Sequence, residues 1–232
     1  MFDKRTLAVA RRDADEASGR SQHFGFDNII QRICDMPWED LRDHEMLAVA
    51  HAYHFFSVQF RENLEIACRL YPDDRKLRTL HAEECDTDNL SPWPGVARAG
   101  EKLDHDEFMR RALALAPRDA DAALERTGAA YLAMIRGVDA LARAKSIASY
   151  EDGGLSRVFQ AILRGRVWGG ATLGAFRHFL EQHIRFDAAD GAGHGALSRH
   201  LAPDETVAPL WQAFADILTF AAPRLATQRL RR

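Results

Sequence analysis

Helical periodicity of apolar residues runs through almost the whole chain and limits its fold more than any other feature. The segment 38–72, WEDLRDHEMLAVAHAYHFFSVQFRENLEIACRLYP, repeats apolar residues at helical spacing until Pro72, which cannot continue a helix. The Ala-rich segment 118–152 is a strong helix former, and we predict one long helix there. No segment alternates β-branched and polar residues between turn signals, so we predict an all-α bundle of about seven or eight helices.

The length of the chain suits one substantial domain. It has 232 residues, enough for a sizeable core. Residues 1–22 are polar, and we predict a loosely ordered N-terminal segment followed by a single helical domain over 23–232. A loop over 87–104, rich in Pro and Gly and containing Trp93, either covers a pocket entrance or only connects two helices.

Charge and cysteine usage exclude several classes of protein. The net charge of −3 gives no electrostatic reason to expect a nucleic acid partner. The chain has no run of 18 apolar residues and no recognisable signal peptide, so we expect a cytoplasmic protein without membrane attachment. Cys34, Cys68 and Cys85 form no CxxC pair, which excludes a zinc ribbon or thioredoxin-type motif and favours free thiols.

The segment HFLEQHIRFDAADGAGH, residues 178–194, places Asp187 between His183 and His194. On one continuous helix, at about 100° per residue, Asp187 would lie about 40° and His194 about 20° from the direction of His183. All three would share one face, and imidazoles with a carboxylate suit a first-row transition metal. The alternative for His183 and Asp187 is an exposed hydrogen-bonded pair. The glycines around His194 either break the helix or allow close packing.

A site for two metals in a helical bundle needs about six protein ligands, so other helices must contribute. Glu84 continues a leucine stripe of its helix, although spacing alone does not separate it from Glu83. Glu151 continues a similar apolar line, close to a Gly-Gly pair. His105 opens a helix, a position that is often exposed to solvent. These acids and this histidine are therefore the candidates that could complete a metal site.

Three further histidines are weaker candidates. His51 and His54 lie three residues apart on a helix that should line the core, where they either contact a substrate or are ordinary core histidines. His81 precedes Glu84 by three residues and would be placed to orient that carboxylate through a hydrogen bond. We treat all three as residues beside the metal ligands or in a substrate pocket.

Taken in order, these motifs resemble the haem-oxygenase-like di-iron oxidases and oxygenases. This superfamily of iron-containing redox enzymes shares its fold with thiaminase-like and pyrroloquinoline-quinone-synthase-like proteins. AEECD with Glu84, HDEFMRRAL with His105, SYED with Glu151 and the late segment HIRFDAADGAGH follow the family's order over roughly residues 40–220. The glycine expected after the first Glu is Asp86 here. The resemblance implies six metal ligands: Glu84, His105, Glu151, His183, Asp187 and His194.

The resemblance also implies a function. It points to a haem-oxygenase-like bundle with a non-haem centre, two irons with manganese as the alternative, that uses O₂ to oxidise a small organic substrate. N-oxygenation, oxidative decarboxylation and C–C cleavage are all compatible with this resemblance. A homodimer is compatible with it as well. One alternative is a metal-free or haem-binding member of the fold that binds an organic ligand, with His23 as the haem ligand. Another is a non-catalytic helical binding protein, which predicts that Glu84, Glu151 and His183 are exposed and far apart.

Overall fold

The structure, a computed structural model, describes residues 25–85, 90–116, 122–188 and 193–226, without the side chains of residues 85, 187 and 188. The predicted segment 1–22 and His23 lie outside these ranges. The described part is all-α, as predicted, and contains no β-strand. Its ten α-helices exceed the predicted seven or eight: α1 Gly25–Cys34, α2 Asp43–Leu70, α3 Arg75–Cys85, α4 His105–Ala114, α5 Ala122–Arg136, α6 Ala140–Glu151, α7 Gly154–Ile162, α8 Ala171–Ala188, α9 His194–Ser198 and α10 Ala208–Ala221.

One cause of the larger number is a break inside the predicted helix 118–152, which is two helices, α5 and α6. Gly137 follows the end of α5. Asp139 then caps α6, since its side chain accepts hydrogen bonds from the N–H groups of Leu141 and Ala142. A short acidic side chain at this position satisfies N–H groups that have no partner within the helix, and so favours a new helix start. The prediction of one long helix was wrong here.

A second correction concerns the late segment 178–194. Helix α8 ends at Ala188, and His194 is the first residue of a separate helix, α9. Gly193 precedes it with φ −54° and ψ 173°, which is not a helical conformation. The expected placement of His194 on the same helical face as His183 is therefore wrong, because that argument needs one uninterrupted helix.

The connection between α2 and α3 follows the sequence prediction. Helix α2 ends at Leu70, two residues before Pro72. Asp74 then caps α3, because its Oδ1 accepts hydrogen bonds from the N–H groups of Lys76 at 2.9 Å and Leu77 at 3.2 Å. The short turn returns the chain along α2, and α3 packs against that helix.

Helix α2 lies at the centre of the bundle and packs against α3, α4, α5, α6, α8 and α10. On α2 the ring of Tyr53 contacts four aromatic rings of other helices, with centroids 5.4 to 6.4 Å apart: Phe159, Phe176, Phe179 and Phe214. Rings at these distances and tilted angles pack favourably beyond the area that they bury. Neither α2, with its 28 residues, nor another described helix is long and apolar enough to cross a membrane.

Candidate metal centre

Five of the six predicted ligands come together, each from a different helix. Glu84 lies near the end of α3, His105 begins α4 and Glu151 ends α6. His183 lies in α8, and His194 begins α9. Helix α9 packs against both α3 and α6, and α4 packs against α8, so the helix contacts account for the meeting. All five residues are buried, with exposed fractions of 3 to 9%. The sixth, Asp187, lies on α8 with its side chain outside the described part.

The first set of potential ligands, which we call group A, consists of Glu84, His105 and His183. His105 Nδ1 lies 2.8 Å from Glu84 Oε2 and 3.0 Å from His183 Nε2. The other ring nitrogen of His183, Nδ1, donates to the carbonyl oxygen of Phe179 at 2.8 Å. Burial, with the neighbouring His105, lowers the pKa of His183 to about 3, so this imidazole is neutral. Its Nε2 therefore presents a lone pair to group A.

The second set, group B, consists of Glu84, Glu151 and His194. His194 Nδ1 lies 2.5 Å from Glu84 Oε1 and 3.2 Å from Glu151 Oε2. Burial by itself lowers the pKa of His194, but the Glu84 and Glu151 carboxylates outweigh it and raise that pKa to about 11. A positive charge is therefore strongly favoured at this point between the two acids.

Glu84 belongs to both groups, with one carboxylate oxygen facing each of them. Burial alone would raise the pKa of Glu84, yet the imidazoles of His105 and His194 hold it well below its usual range. Glu84 is therefore ionised, and a carboxylate placed in this way can bridge two cations. The ambiguity between neighbouring acids is resolved by position, because the Glu83 side chain lies outside both groups and is 40% exposed.

The donor atoms fit a metal ion in both chemistry and spacing. Ligand atoms that bind one ion at about 2.1 Å and at right angles lie about 3 Å from one another. Four of the six separations within groups A and B range from 2.5 to 3.2 Å, and all donor atoms of a group lie within 4.8 Å of one another. Glu84 Oε1 makes no well-aligned hydrogen bond within the described part of the chain, although His194 Nδ1 is close to it. These buried Glu/His groups could therefore hold metal ions.

Gly195 explains how α9 brings His194 so close to the end of α6. A Cβ atom at Gly195 would lie 3.0 Å from Asp152 Oδ1 and 3.1 Å from both Asp152 Cα and the Glu151 carbonyl oxygen. These contacts are tight, so a larger residue would require α9 or its neighbours on α6 to give by a few tenths of an ångström. Of the two interpretations of the glycines around His194, close packing therefore applies at Gly195, and a helix break applies at Gly193, which precedes α9.

A small cavity of about 10 Å³ borders both groups, close to the room that one water molecule needs. Besides ligand residues, it is lined by Tyr53, Phe56, Ser57 and Phe60 of α2 and by Leu155 of α7. The four α2 residues have the spacing of one helical stripe. Sequence reasoning missed these residues because their apolar periodicity is the same as that of an ordinary core stripe.

The three weaker histidine candidates do not line this cavity. At about 100° per residue, His54 and His51 lie more than about 90° round α2 from the centre of the stripe that faces it. Burial lowers the pKa of His54, and the nearby Asp106 only partly opposes this. His81 is half-buried on α3 and makes no hydrogen bond to Glu84 within the described residues. The expected roles of these histidines in a substrate pocket are therefore not met.

The loop before α4 packs over the outside of α8. Trp93 stacks on His178 of α8 with ring centroids 4.4 Å apart and 25° between the planes. Its Cζ2 atom also lies 3.6 Å from the position of a Cβ on Gly174. Trp93 does not line the cavity beside the metal groups, so within its described residues 90–104 this loop connects helices and covers α8.

The burial of the site argues against one of the alternatives. A helical binding protein without a site predicts that Glu84, Glu151 and His183 are exposed and far apart. Instead their exposed fractions are 3, 9 and 8%, and each contributes to group A or group B. Buried acids and histidines at such short separations need compensation, which they supply to one another here.

Comparisons of the chain with protein-family models, with curated proteins and with solved structures gave no match. The resemblance described in the sequence analysis therefore rests on the order and identity of its motifs. The geometry of groups A and B is the structural feature of the described residues that bears on function.

Proposed function

We propose that this protein is a non-haem iron enzyme of the haem-oxygenase-like fold that binds two irons and uses O₂ to oxidise a small organic substrate. The observation that carries the proposal is the position of Glu84, whose two carboxylate oxygens face two separate groups of buried donors. A carboxylate shared between two three-residue groups is the arrangement expected of a two-metal site. Mixed carboxylate and neutral imidazole donors suit Fe(II), with Mn(II) as the alternative.

Each group would hold one ion through three protein ligands. Bound iron would supply the electron transfer to O₂ that amino-acid side chains cannot provide. The Phe179 carbonyl keeps a proton on His183 Nδ1, so that Nε2 remains available as a ligand. With three donors for each ion among the described residues, coordination positions are left for O₂ and substrate. The residues of the chain would thus set the position of the ions, the protonation state of the histidine ligands and the charge balance of the site.

The wall of α2 would control what reaches the ions. Tyr53, Phe56 and Phe60 keep bulk water away from the donors, because the cavity beside them is so small. Ser57 donates its hydroxyl hydrogen to the carbonyl oxygen of His54 at 2.8 Å, so it can only accept a hydrogen bond from a substrate. A substrate larger than a water molecule must displace some of these side chains, and we expect substrate binding to move them.

Anaerobic titration of metal-stripped protein with Fe(II) tests this function. We expect about two tightly bound irons per chain in the wild type, as in other two-metal sites, and at most one in His183→Ala. His44→Ala removes an exposed imidazole of α2 and is the matched control, for which we expect wild-type stoichiometry. Parallel titration with Mn(II) distinguishes the two metals by affinity.

Exposure of the iron-loaded protein to O₂ gives the second readout. We expect O₂ consumption that depends on bound Fe(II) and that is lost in His183→Ala but retained in His44→Ala. Absence of tight iron and manganese in the wild type would overturn the metal site. Tight iron without reaction with O₂ would retain the site and overturn the oxidase or oxygenase function.

A further inference from the structure

The imidazole of His194 lies between acidic groups on both sides of its ring. Nδ1 faces Glu84 and Glu151 of group B. Nε2 lies 3.4 Å from Glu83 Oε2. The His194 side chain is only 4% exposed, whereas that of Glu83 is 40% exposed and so has room to rotate. Glu83 and Glu84, which are adjacent on α3, thus each lie close to a different nitrogen of the buried His194 ring.

We propose that Glu83 is a positioning residue that fixes the tautomer and orientation of His194 for metal binding, an inference that rests on the two-metal function proposed above. A neutral imidazole can bind a cation through Nδ1 only when its remaining proton is on Nε2. Glu83 Oε2 lies 3.4 Å from Nε2, and its carboxylate would accept this N–H once the side chain rotates slightly towards the ring. An acceptor at this position fixes the ring and increases the basicity of the ligand nitrogen.

The separation of 3.4 Å is longer than an ideal hydrogen bond. A small rotation of the partly exposed Glu83 side chain shortens it, while the buried Glu84 stays in place between the groups. Because Glu83 and Glu84 are consecutive on α3, one helix end sets both the bridging ligand and the acceptor behind His194. This explains the use of two consecutive acids where one ligand would suffice.

The ligand His183 has an equivalent arrangement, in which a different group accepts the hydrogen bond from the ring nitrogen that does not face the metal site. Its Nδ1 donates to the backbone carbonyl of Phe179, four residues earlier in α8. His194 is the first residue of α9, so no residue four positions earlier in that helix can supply such a carbonyl. The acceptor for this ring therefore comes from outside its own helix, and Glu83 of α3 is placed to provide it.

The test uses Zn(II), which is diamagnetic, as the probe on full-length protein. Three variants are compared with the wild type: Glu83→Ala, Glu83→Gln and Glu181→Ala. Glu181 is a partly exposed acid on α8 that pairs with Arg177 and lies outside both groups, so its variant controls for the loss of one negative charge. Calorimetric titration gives the affinity of each Zn(II), and ¹⁵N spectra of histidine-labelled, Zn-loaded protein give the tautomer of His194, assigned with His194→Gln.

We expect Glu83→Ala to weaken the binding of one Zn(II) by about 10- to 100-fold, the usual effect of removing the group behind a histidine ligand. The other Zn(II) should bind as in wild type. Glu83→Gln keeps a neutral acceptor and should restore the Nε2–H tautomer with part of the affinity, while Glu181→Ala should match the wild type.

Two results would overturn the inference in different ways. Two wild-type affinities and an unchanged His194 tautomer in folded Glu83→Ala would overturn the role of Glu83 and leave the proposed function standing. A wild-type protein that binds neither Zn(II) nor Fe(II) would overturn the proposed function, and this inference with it.

Discussion

Replacement of Glu84 by glutamine should abolish tight metal binding at groups A and B together. Glu84 is the one residue that belongs to both groups, through different carboxylate oxygens. A glutamine of the same shape offers one neutral oxygen and an NH₂ group that presents protons to the opposite group, so it cannot bridge two cations. Anaerobic Fe(II) titration of Glu84→Gln should give no tight iron, whereas His183→Ala, which changes group A alone, should retain part of the binding.

Glu84→Ala adds a measurement of stability. The change leaves His194, whose pKa is raised to about 11 by Glu84 and Glu151, with one fewer buried partner. Removal of one member of a buried pair costs about 3 to 5 kcal/mol. We expect about 3 kcal/mol here from denaturant unfolding of the metal-free protein, because Glu151 still faces His194.

The variant Glu181→Ala is the control for the effect of Glu84 on stability and on binding, with wild-type behaviour expected in both measurements. If Glu84→Ala does not fold, the Fe(II) titration of Glu84→Gln still tests the role of this carboxylate. A folded Glu84→Gln protein that binds two Fe(II) with wild-type affinity would contradict the bridging role of this carboxylate.

Local patterns predicted the parts of the structure that depend on neighbouring residues in the chain. Pro72 marks the end of α2, as the sequence indicated, and Asp74 caps α3. The leucine stripe of α3 indicated that the Glu84 side chain faces the interior of the protein. Choosing Glu84 over Glu83 required the position of α9, since both acids lie near His194 and differ in which side of its ring they face.

The placement of His194 shows where this reasoning fails. The helical-wheel argument put His194 on the face of His183 by assuming one helix, whereas the chain starts a new helix after Gly193. His194 nevertheless reaches group B, because α9 packs against α3 and α6. That contact depends on the missing side chain at Gly195, and periodicity carries no information about such a tertiary fit.

The residues facing the cavity could not be separated from the core by sequence. Tyr53, Phe56 and Phe60 repeat at helical spacing and predict burial correctly. Their pattern does not say whether the neighbour across the gap is another apolar residue or a potential metal ligand such as His105. Only the packing of α3, α4 and α8 against α2 places group A opposite this stripe.

The neighbouring glycines 153 and 154 should differ sharply in their tolerance of a side chain. A Cβ atom on Gly154 would lie 2.1 Å from the carbonyl oxygen of Ser149 and 2.9 Å from Trp211 Cζ2. Ser149 is two residues before Glu151, and Trp211 is fully buried with its Nε1 donating to Ser149 Oγ at 3.0 Å. Rotation of side chains cannot relieve a contact with a backbone atom, so Gly154→Ala must move the end of α6 away from α7.

We expect Gly154→Ala to lose about 3 kcal/mol of unfolding free energy, the upper end of the cost of overpacking. For a chain of this length that corresponds to a fall of about 10 °C in Tm, measured by circular dichroism on metal-free protein. The displaced Glu151 should also weaken the binding of one iron in the anaerobic titration, at group B.

Gly153 supplies the matched control, because a side chain at this position is limited by the backbone conformation and not by the space available. Its φ is +90°, and nothing lies within 4 Å of an added Cβ. Gly153→Ala should cost about 1 to 2 kcal/mol from the left-handed backbone, and Gly153→Asn less, since asparagine tolerates that region. Both variants should bind iron as the wild type does, because the end of α6 need not move. Equal losses of stability and of iron in Gly153→Asn and Gly154→Ala would contradict the assignment, since a general sensitivity of the bend would then replace the specific contact between Gly154 and α6.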